Sequence, residues 1–162
     1  MSMRLDRFDA KILGLLQSDA NMTTTSLADQ IGLSQSPCWR RIKRLEDGGL
    51  IKKRVTLLER RALGLDVVVF VQVKLHNHGR QQLPEFEKSI SRHPEVVECH
   101  TLLGEMDYLL KVVVRDITAY EAFFRNYLSQ AVGVELTRSL VVVSEVKSTT
   151  ELPIDAIELV DG

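Results

Sequence analysis

Between Arg40 and Arg54 the chain carries seven basic residues, Arg40, Arg41, Lys43, Arg44, Lys52, Lys53 and Arg54, against two acids, Glu46 and Asp47. Side chains of these types at this density suit a polyanion. Arginine presents forked donors to guanine edges or phosphate oxygens, and lysine neutralises phosphates as a point charge. Just upstream stand Ser34, Gln35, Ser36 and Trp39, and a helix beginning among them offers free amides to a phosphate. Trp39 reads as a packing or backbone-contact residue. A solvated surface helix is the bland alternative for any charge run, so the surrounding elements must decide.

A second constellation is Gly104-Glu105-Met106-Asp107-Tyr108, a tight turn between two apolar stretches. Its amides suit a carboxylate and Asp107 an ammonium group, the two charges of a free amino acid, with Glu105 the runner-up for the second role. A plain hairpin loop would use the same residue types. His76 and His78 lie two apart near a strand end, but no third ligand stands at metal-site spacing, so no metal is expected. Cys38 and Cys99 form no metal pair and suggest no framework of bridges, and Cys38 reads as a small core residue. There is no Ser/His/Asp grouping with a recognisable nucleophile and no phosphate loop. The chain therefore reads as a binding protein without a cofactor rather than an enzyme.

The elements that position these residues can be read from periodicity. Leu5, Phe8, Ile12, Leu15 and Leu16 recur at three- and four-residue steps and predict a helix over Asp6–Ser18. A second helix is expected over Thr25–Ile31, capped by Thr23 or Thr24 and stopped at Gly32. A third runs from about Ser36 to Asp47, with Cys38, Ile42 and Leu45 inward, Pro37 in its first turn and Ser34 an alternative cap. Gly48-Gly49 ends it, and Leu50–Leu58 reads as an extended segment, a short wing. Three helices with a glycine turn before a basic third helix make a helix-turn-helix pattern.

Past residue 61 the pattern changes to strands at Val67–Leu75, Val96–Leu103, Asp107–Val114 and Val134–Val146, with helices at Gln82–Arg92 and Ile117–Leu128. The order βαββαβ is that of a ferredoxin-like sandwich, an α+β fold. Val67, Val69, Val71, Val73 and Leu75 share one sheet face, Val68 and Phe70 the other, and the stretches Leu109–Val114 and Leu140–Val143 read as apolar on both. Two helices cover only one side, so the second face is expected to meet a copy of itself in a twofold dimer.

Charge follows the same division. Residues 1–61 hold 12 Lys+Arg against 7 Asp+Glu, residues 62–162 hold 9 against 15, and the whole chain of 162 residues nets −1. A domain boundary is expected there, giving a DNA-binding domain over 1–61 and an effector and oligomerisation domain, with the C-terminal tail, over 62–162. Apolar residues make up 44% and charged residues 27%, which excludes low-complexity disorder and a disulfide scaffold. The longest apolar run, Val67–Val71, is far short of a bilayer crossing, and the N-terminus lacks the features of a signal peptide, so a cytoplasmic protein without a membrane partner is expected.

Taken in order, Leu5-Asp6-Arg7-Phe8-Asp9, Leu33 through Glu46, Gly104 through Leu110 and Glu145 through Thr150 resemble the leucine-responsive and asparagine-responsive regulators, the Lrp/AsnC or feast/famine family. The resemblance spans nearly the whole chain. It implies a transcriptional regulator of amino-acid metabolism with two partners, double-stranded DNA and a small amino-acid effector. It further implies dimers through the effector sheets and higher assemblies, commonly octameric rings. The effector site is then expected where neighbouring dimers meet, with Gly104, Glu105, Met106, Asp107 and Tyr108 supplying backbone and acid and Leu140, Val141 and Val142 part of an apolar wall. Met106 and Leu140 are positions where family members vary. Pro37-Cys38-Trp39, Val55–Leu58 and Thr149–Pro153 look most like the bacterial branch regulating amino-acid catabolism. A ligand-independent architectural DNA-binding protein is the main rival, and a small-molecule enzyme or carrier the second.

Overall fold

Asp6 stops being extended chain because its carboxylate accepts the amides of Phe8 and Asp9, at 2.8 and 3.0 Å, while the Asp9 carboxylate accepts the amide of Asp6 at 3.1 Å. This reciprocal capping satisfies amides that a helix start otherwise leaves unpaired, and α1 follows over Arg7–Ser18. The computed structural model describes residues 3–76 and 83–160. Thr23 caps α2 (Thr24–Ile31) through the amide of Ser26. Gly32 then takes φ +73°, a left-handed conformation that side-chain-bearing residues rarely adopt, and so turns the chain. The third helix, α3, spans Gln35–Asp47 with Ser34 at its N-cap position, so it begins one residue earlier than the Ser36 start expected. Ile12, Leu16, Leu27, Ala28, Ile31, Cys38, Ile42 and Leu45 form the core between the three helices. The stretch Leu50–Leu58, expected as a wing, carries no strand pairing, and Val55, Leu57 and Leu58 are exposed.

The second part of the chain forms β1 (Val67–Leu75), α4 (Leu83–Ile90), β2 (Val96–Thr101), β3 (Tyr108–Val114), α5 (Ile117–Phe123) and β4 (Val134–Val141). The strands make one antiparallel sheet in the order β2-β3-β1-β4, the ferredoxin-like arrangement. A π-helical turn, Phe124–Leu128, continues α5 and brings Leu128 into the core. Val69, Val71, Val73 and Leu75 of β1 and Tyr108, Leu110, Val112 and Val114 of β3 meet Phe86, Ile90, Tyr120, Phe123 and Leu128 from the helices. β4 ends at Val141, short of the Val146 expected, after which only the amide of Val142 still reaches β1, donating to Val68 O at 2.9 Å.

The face away from the helices carries Val68, Phe70, Leu109 and Val113, but it is not the uniformly apolar surface expected. Lys111 lies on it and pairs with Glu98 at 2.9 Å, and Glu98 also meets His100 at 3.1 Å. Hydrogen bonds from Lys111 and His100 hold the Glu98 carboxyl below its ordinary range.

The chain divides into two compact units, Met1–Leu57 with Lys147–Gly162, and Leu58–Val146. The tail expected with the sheet domain therefore belongs with the helical one, because its backbone is hydrogen bonded to α1. The amide of Val160 donates to Leu5 O at 2.8 Å, and Leu152 exchanges two bonds with Gln17.

Candidate functional site

The basic run on α3 is divided by one buried acid. Asp9 lies on the same stripe of α1 as Ile12 and Leu16, and its side chain is 1% exposed. An isolated carboxylate there would be strongly unfavourable, and it is retained because α3 supplies two guanidinium groups. Arg41 Nη1 stands 2.8 Å from Asp9 Oδ1 and 2.8 Å from Asp6 Oδ2, and Arg44 Nη2 pairs with Asp9 Oδ2. The Arg41 guanidinium also lies 5.3 Å from the centre of the Phe8 ring, in cation–π geometry. Partial burial opposes ionisation of Asp6, but hydrogen bonds from the Asp9 and Phe8 amides and from Arg41 outweigh it and hold the carboxyl below its ordinary value. Its contribution is present above the unfolded carboxyl range and is lost as pH falls through the lowered folded value.

Arg41 and Arg44, expected at the DNA surface, are thus committed to α1. They lie on the flank of α3 beside α1. Two further charges are engaged at the surface: Lys43 with Asp47 at 3.0 Å and Arg54 with Glu46 at 3.3 Å. Among the described residues, no acid lies within ion-pair reach of Arg40, Lys52 or Lys53. Arg40 and the 56%-exposed Trp39 project from the outer face of α3. Ser34, Gln35 and Ser36 are exposed at its start, and Ser34 makes no capping hydrogen bond there, unlike Asp6 and Thr23 on the other two helices.

The turn before β3 is also used internally. Asp107 donates its amide to Val73 O at 2.9 Å, accepts the amide of Leu75 on Oδ2 at 2.8 Å, and accepts the amide of Leu102 on its carbonyl at 2.8 Å. Its carboxylate is expected to take a ligand's ammonium, yet one of its oxygens already clasps the end of β1. Tyr108 and Met106 are buried. The Tyr108 ring packs on Phe86 with centroids 4.8 Å apart, and its hydroxyl donates to Glu87 Oε1 at 2.8 Å. Burial and the neighbouring Glu87 carboxylate push that hydroxyl's pKa far upward. Neither side chain is presented to solvent as a ligand contact, whereas Gly104 and Glu105 are exposed.

Leu140 and Val141 are about half exposed on β4, opposite Phe70 and Val69, and Val142 follows at the strand's end. The turn lies instead beside Val73 and Leu75, so one chain does not bring the two parts of the expected effector site together. A groove of about 430 Å³ between α4 and β2, lined by Glu87, Ile90, Val96, Cys99, Thr101 and Tyr108 among others, touches only Tyr108 of that set. Among the described residues there is no cluster of three or more His, Cys, Asp or Glu able to hold a metal, and no helix long and apolar enough to cross a membrane. His78 lies outside the described residues.

Comparison with known proteins places both units. Residues 5–52 match the winged helix-turn-helix DNA-binding family, and residues 68–152 match the Lrp/AsnC ligand binding domain. The chain belongs to the Lrp/AsnC family. Its members are DNA-binding transcriptional regulators, not enzymes. The chain is 42% identical over 156 residues to the glutamate uptake regulatory protein of Zymomonas mobilis, covering 95% of this chain and 93% of that one. The crystal structure of an AsnC family transcriptional regulator from Agrobacterium tumefaciens superposes with a TM-score of 0.89 at 40% identity, covering 95% of this chain and 100% of the other. A transcriptional regulator from Neisseria meningitidis in complex with L-Met superposes at 0.87 with 36% identity, covering 93% and 97%.

The division of charges has a measurable result. Arg40→Ala should leave thermal stability unchanged and weaken specific DNA binding by about 1–3 kcal/mol if it reads a base edge. Arg44→Ala should instead lower stability, because it strips a partner from a buried carboxylate. With Arg40 on a base edge and Lys52 and Lys53 on phosphates, log K should fall with log salt by about 1.8 per subunit, against about 6 if all seven neutralised phosphates. Melting curves and a salt series on the two variants and wild type check both.

Proposed function

We propose that the chain binds DNA through α3 and the residues just beyond it, and that an amino acid held at the turn Gly104–Tyr108 controls that contact at genes of amino-acid metabolism. Ser34, Gln35, Ser36, Trp39, Arg40, Lys52 and Lys53 form the DNA surface, and Arg41 and Arg44 act from behind it by fixing α3 on α1. Gly104 carries the effector reading. Its φ is not in the left-handed region, and a Cβ added there meets nothing within 4 Å. The isolated fold therefore makes no demand for glycine at this position, and a close approach from outside the chain supplies one. A ligand carboxylate against the turn amides meets that description, with Glu105 for the ammonium, the free oxygen of Asp107 beside it, and Leu140–Val142 of another subunit as the wall. The relative named for glutamate uptake and the neighbour solved with L-Met support the amino-acid class.

Assembly follows from the same domain. Among the described residues of the sheet domain no helix lies over the face bearing Phe70, Leu109 and Val113, and a second copy covers it by a twofold contact, with tetramers or octamers built from such dimers. Because Val69 points into the helix-covered core and Phe70 away from it, Phe70→Asp is the informative change. It should yield monomer in sedimentation, whereas a dimer of wild-type affinity would contradict this face as the interface.

Thermal melting against each of the twenty amino acids tests the effector reading, since a ligand at 100 times its Kd stabilises the folded state by roughly 2.7 kcal/mol. Gly104→Ala should melt as wild type without ligand and lose the shift that the active amino acid gives. If none of the twenty shifts the wild type while DNA binding is intact, the protein is a ligand-independent architectural binder. A full shift in Gly104→Ala moves the site away from the turn.

A further inference from the structure

The last stretch of the chain lies alongside α1 and is tied to the helix near its C-terminal end and to the residues just before its start. Near the C-terminal end, the Gln17 side chain makes a two-bond pair with one backbone residue: Nε2 donates to Leu152 O at 3.0 Å, and Oε1 accepts the Leu152 amide at 2.9 Å. Near the N-terminal end, the amide of Val160 donates to Leu5 O at 2.8 Å. Leu5 lies two residues before α1 and Gln17 one residue before its end, so the two ties bracket roughly 15 Å of helix at 1.5 Å per residue. Between the two ties the tail makes a 3-10 turn, Ile154–Ala156, that packs on α1, and Ile154 and Ile157 are half buried. A tail with no role would be expected to fray, since ordering backbone costs about 1–2 kcal/mol per residue.

The position of this contact matters because α1 is also the helix whose Asp9 holds Arg41 and Arg44 of α3. The tail grips one flank of α1, and another flank sets α3. The tail is also covalently continuous with β4, so the sheet domain is joined to the helical unit by two chain crossings, at residues 57–58 and 146–147. We propose that the C-terminal tail is a strap belonging to the DNA-binding unit, with Gln17 as its positioning residue. Through it the tail acts on α1 and thereby on the seating of α3. This rests on the reading of the helical unit as the DNA-binding part.

The experiment uses the full chain, Gln17→Leu, a chain ending at Ser148, and the two changes combined, with a DNA duplex enriched by the wild type from a random-sequence pool. Hydrogen exchange should show the Leu152 and Val160 amides protected in wild type, and Leu152 unprotected in Gln17→Leu. Both single variants should bind the duplex at least fivefold more weakly, with sedimentation unchanged, and the combined variant should lose nothing beyond the shortened chain, which has already lost the Gln17 contact. Should the shortened chain fail to fold, Gln17→Leu with its exchange pattern still decides. Wild-type affinity in either folded variant overturns the strap, as does an additive loss in the combined variant, which would make Gln17 a direct DNA contact. A wild type that enriches no duplex contradicts the DNA-binding reading itself, a failure visible before any variant is made.

Discussion

The carboxylate of Asp9 is buried in the helical core and shared between two guanidinium groups of α3. Everything about the DNA-facing surface depends on that arrangement. It caps the start of α1, fixes α3 against α1, and engages two of the seven basic residues inside the helical unit. A buried ion pair of this kind is weak evidence for net stability, since apolar side chains of similar volume would often serve as well, but removing one partner alone is costly. What it supplies is register: α3 can sit on α1 in the one way that satisfies both oxygens of Asp9.

The sheet domain follows a parallel economy. Asp107 and Tyr108 also serve as joints in the structure, one closing the end of β1 through the Leu75 amide and the other tying β3 to α4 through Glu87. The groups left exposed around this turn are Gly104, Glu105 and the second carboxylate oxygen of Asp107, while Leu140 and Val141 on β4 stand farther along the sheet, opposite Phe70 and Val69. On the proposed reading, a site assembled from such parts is complete only when a second subunit brings its own β4 to the turn. Ligand binding and assembly then become linked equilibria, because a ligand held by two subunits favours their association.

Periodicity made most of the fold legible. The apolar stripes of α1, α2 and α3, the glycine stop at Gly32 and the alternating valines of β1 each carry a strong local signal, and the βαββαβ order follows from them. What escaped is what depends on partners distant in sequence. Asp9 is absent from the apolar stripe because it is an acid, although its spacing of three and seven from Ile12 and Leu16 places it on the buried side of α1. The pairing of Arg41 and Arg44 with Asp9 leaves no local signal because the partners lie more than thirty residues apart. Lys111 interrupts a face read as apolar because its partner Glu98 stands on the adjacent strand. The tail was assigned to the domain it follows in sequence, since a side-chain amide on α1 meeting the backbone of Leu152 leaves no periodic trace.

The central claim, that Asp9 and Arg41 form an organising pair within the helical unit, is tested most directly by a double-mutant cycle with Asp9→Ala, Arg41→Ala and the combined protein, read by denaturant unfolding. The account predicts that each single change costs about 3–5 kcal/mol, as expected when one partner of a buried pair is removed, and that the combined change costs clearly less than their sum. Additive costs would show that the two side chains act independently, and α3 would then have to be held on α1 by its apolar contacts alone.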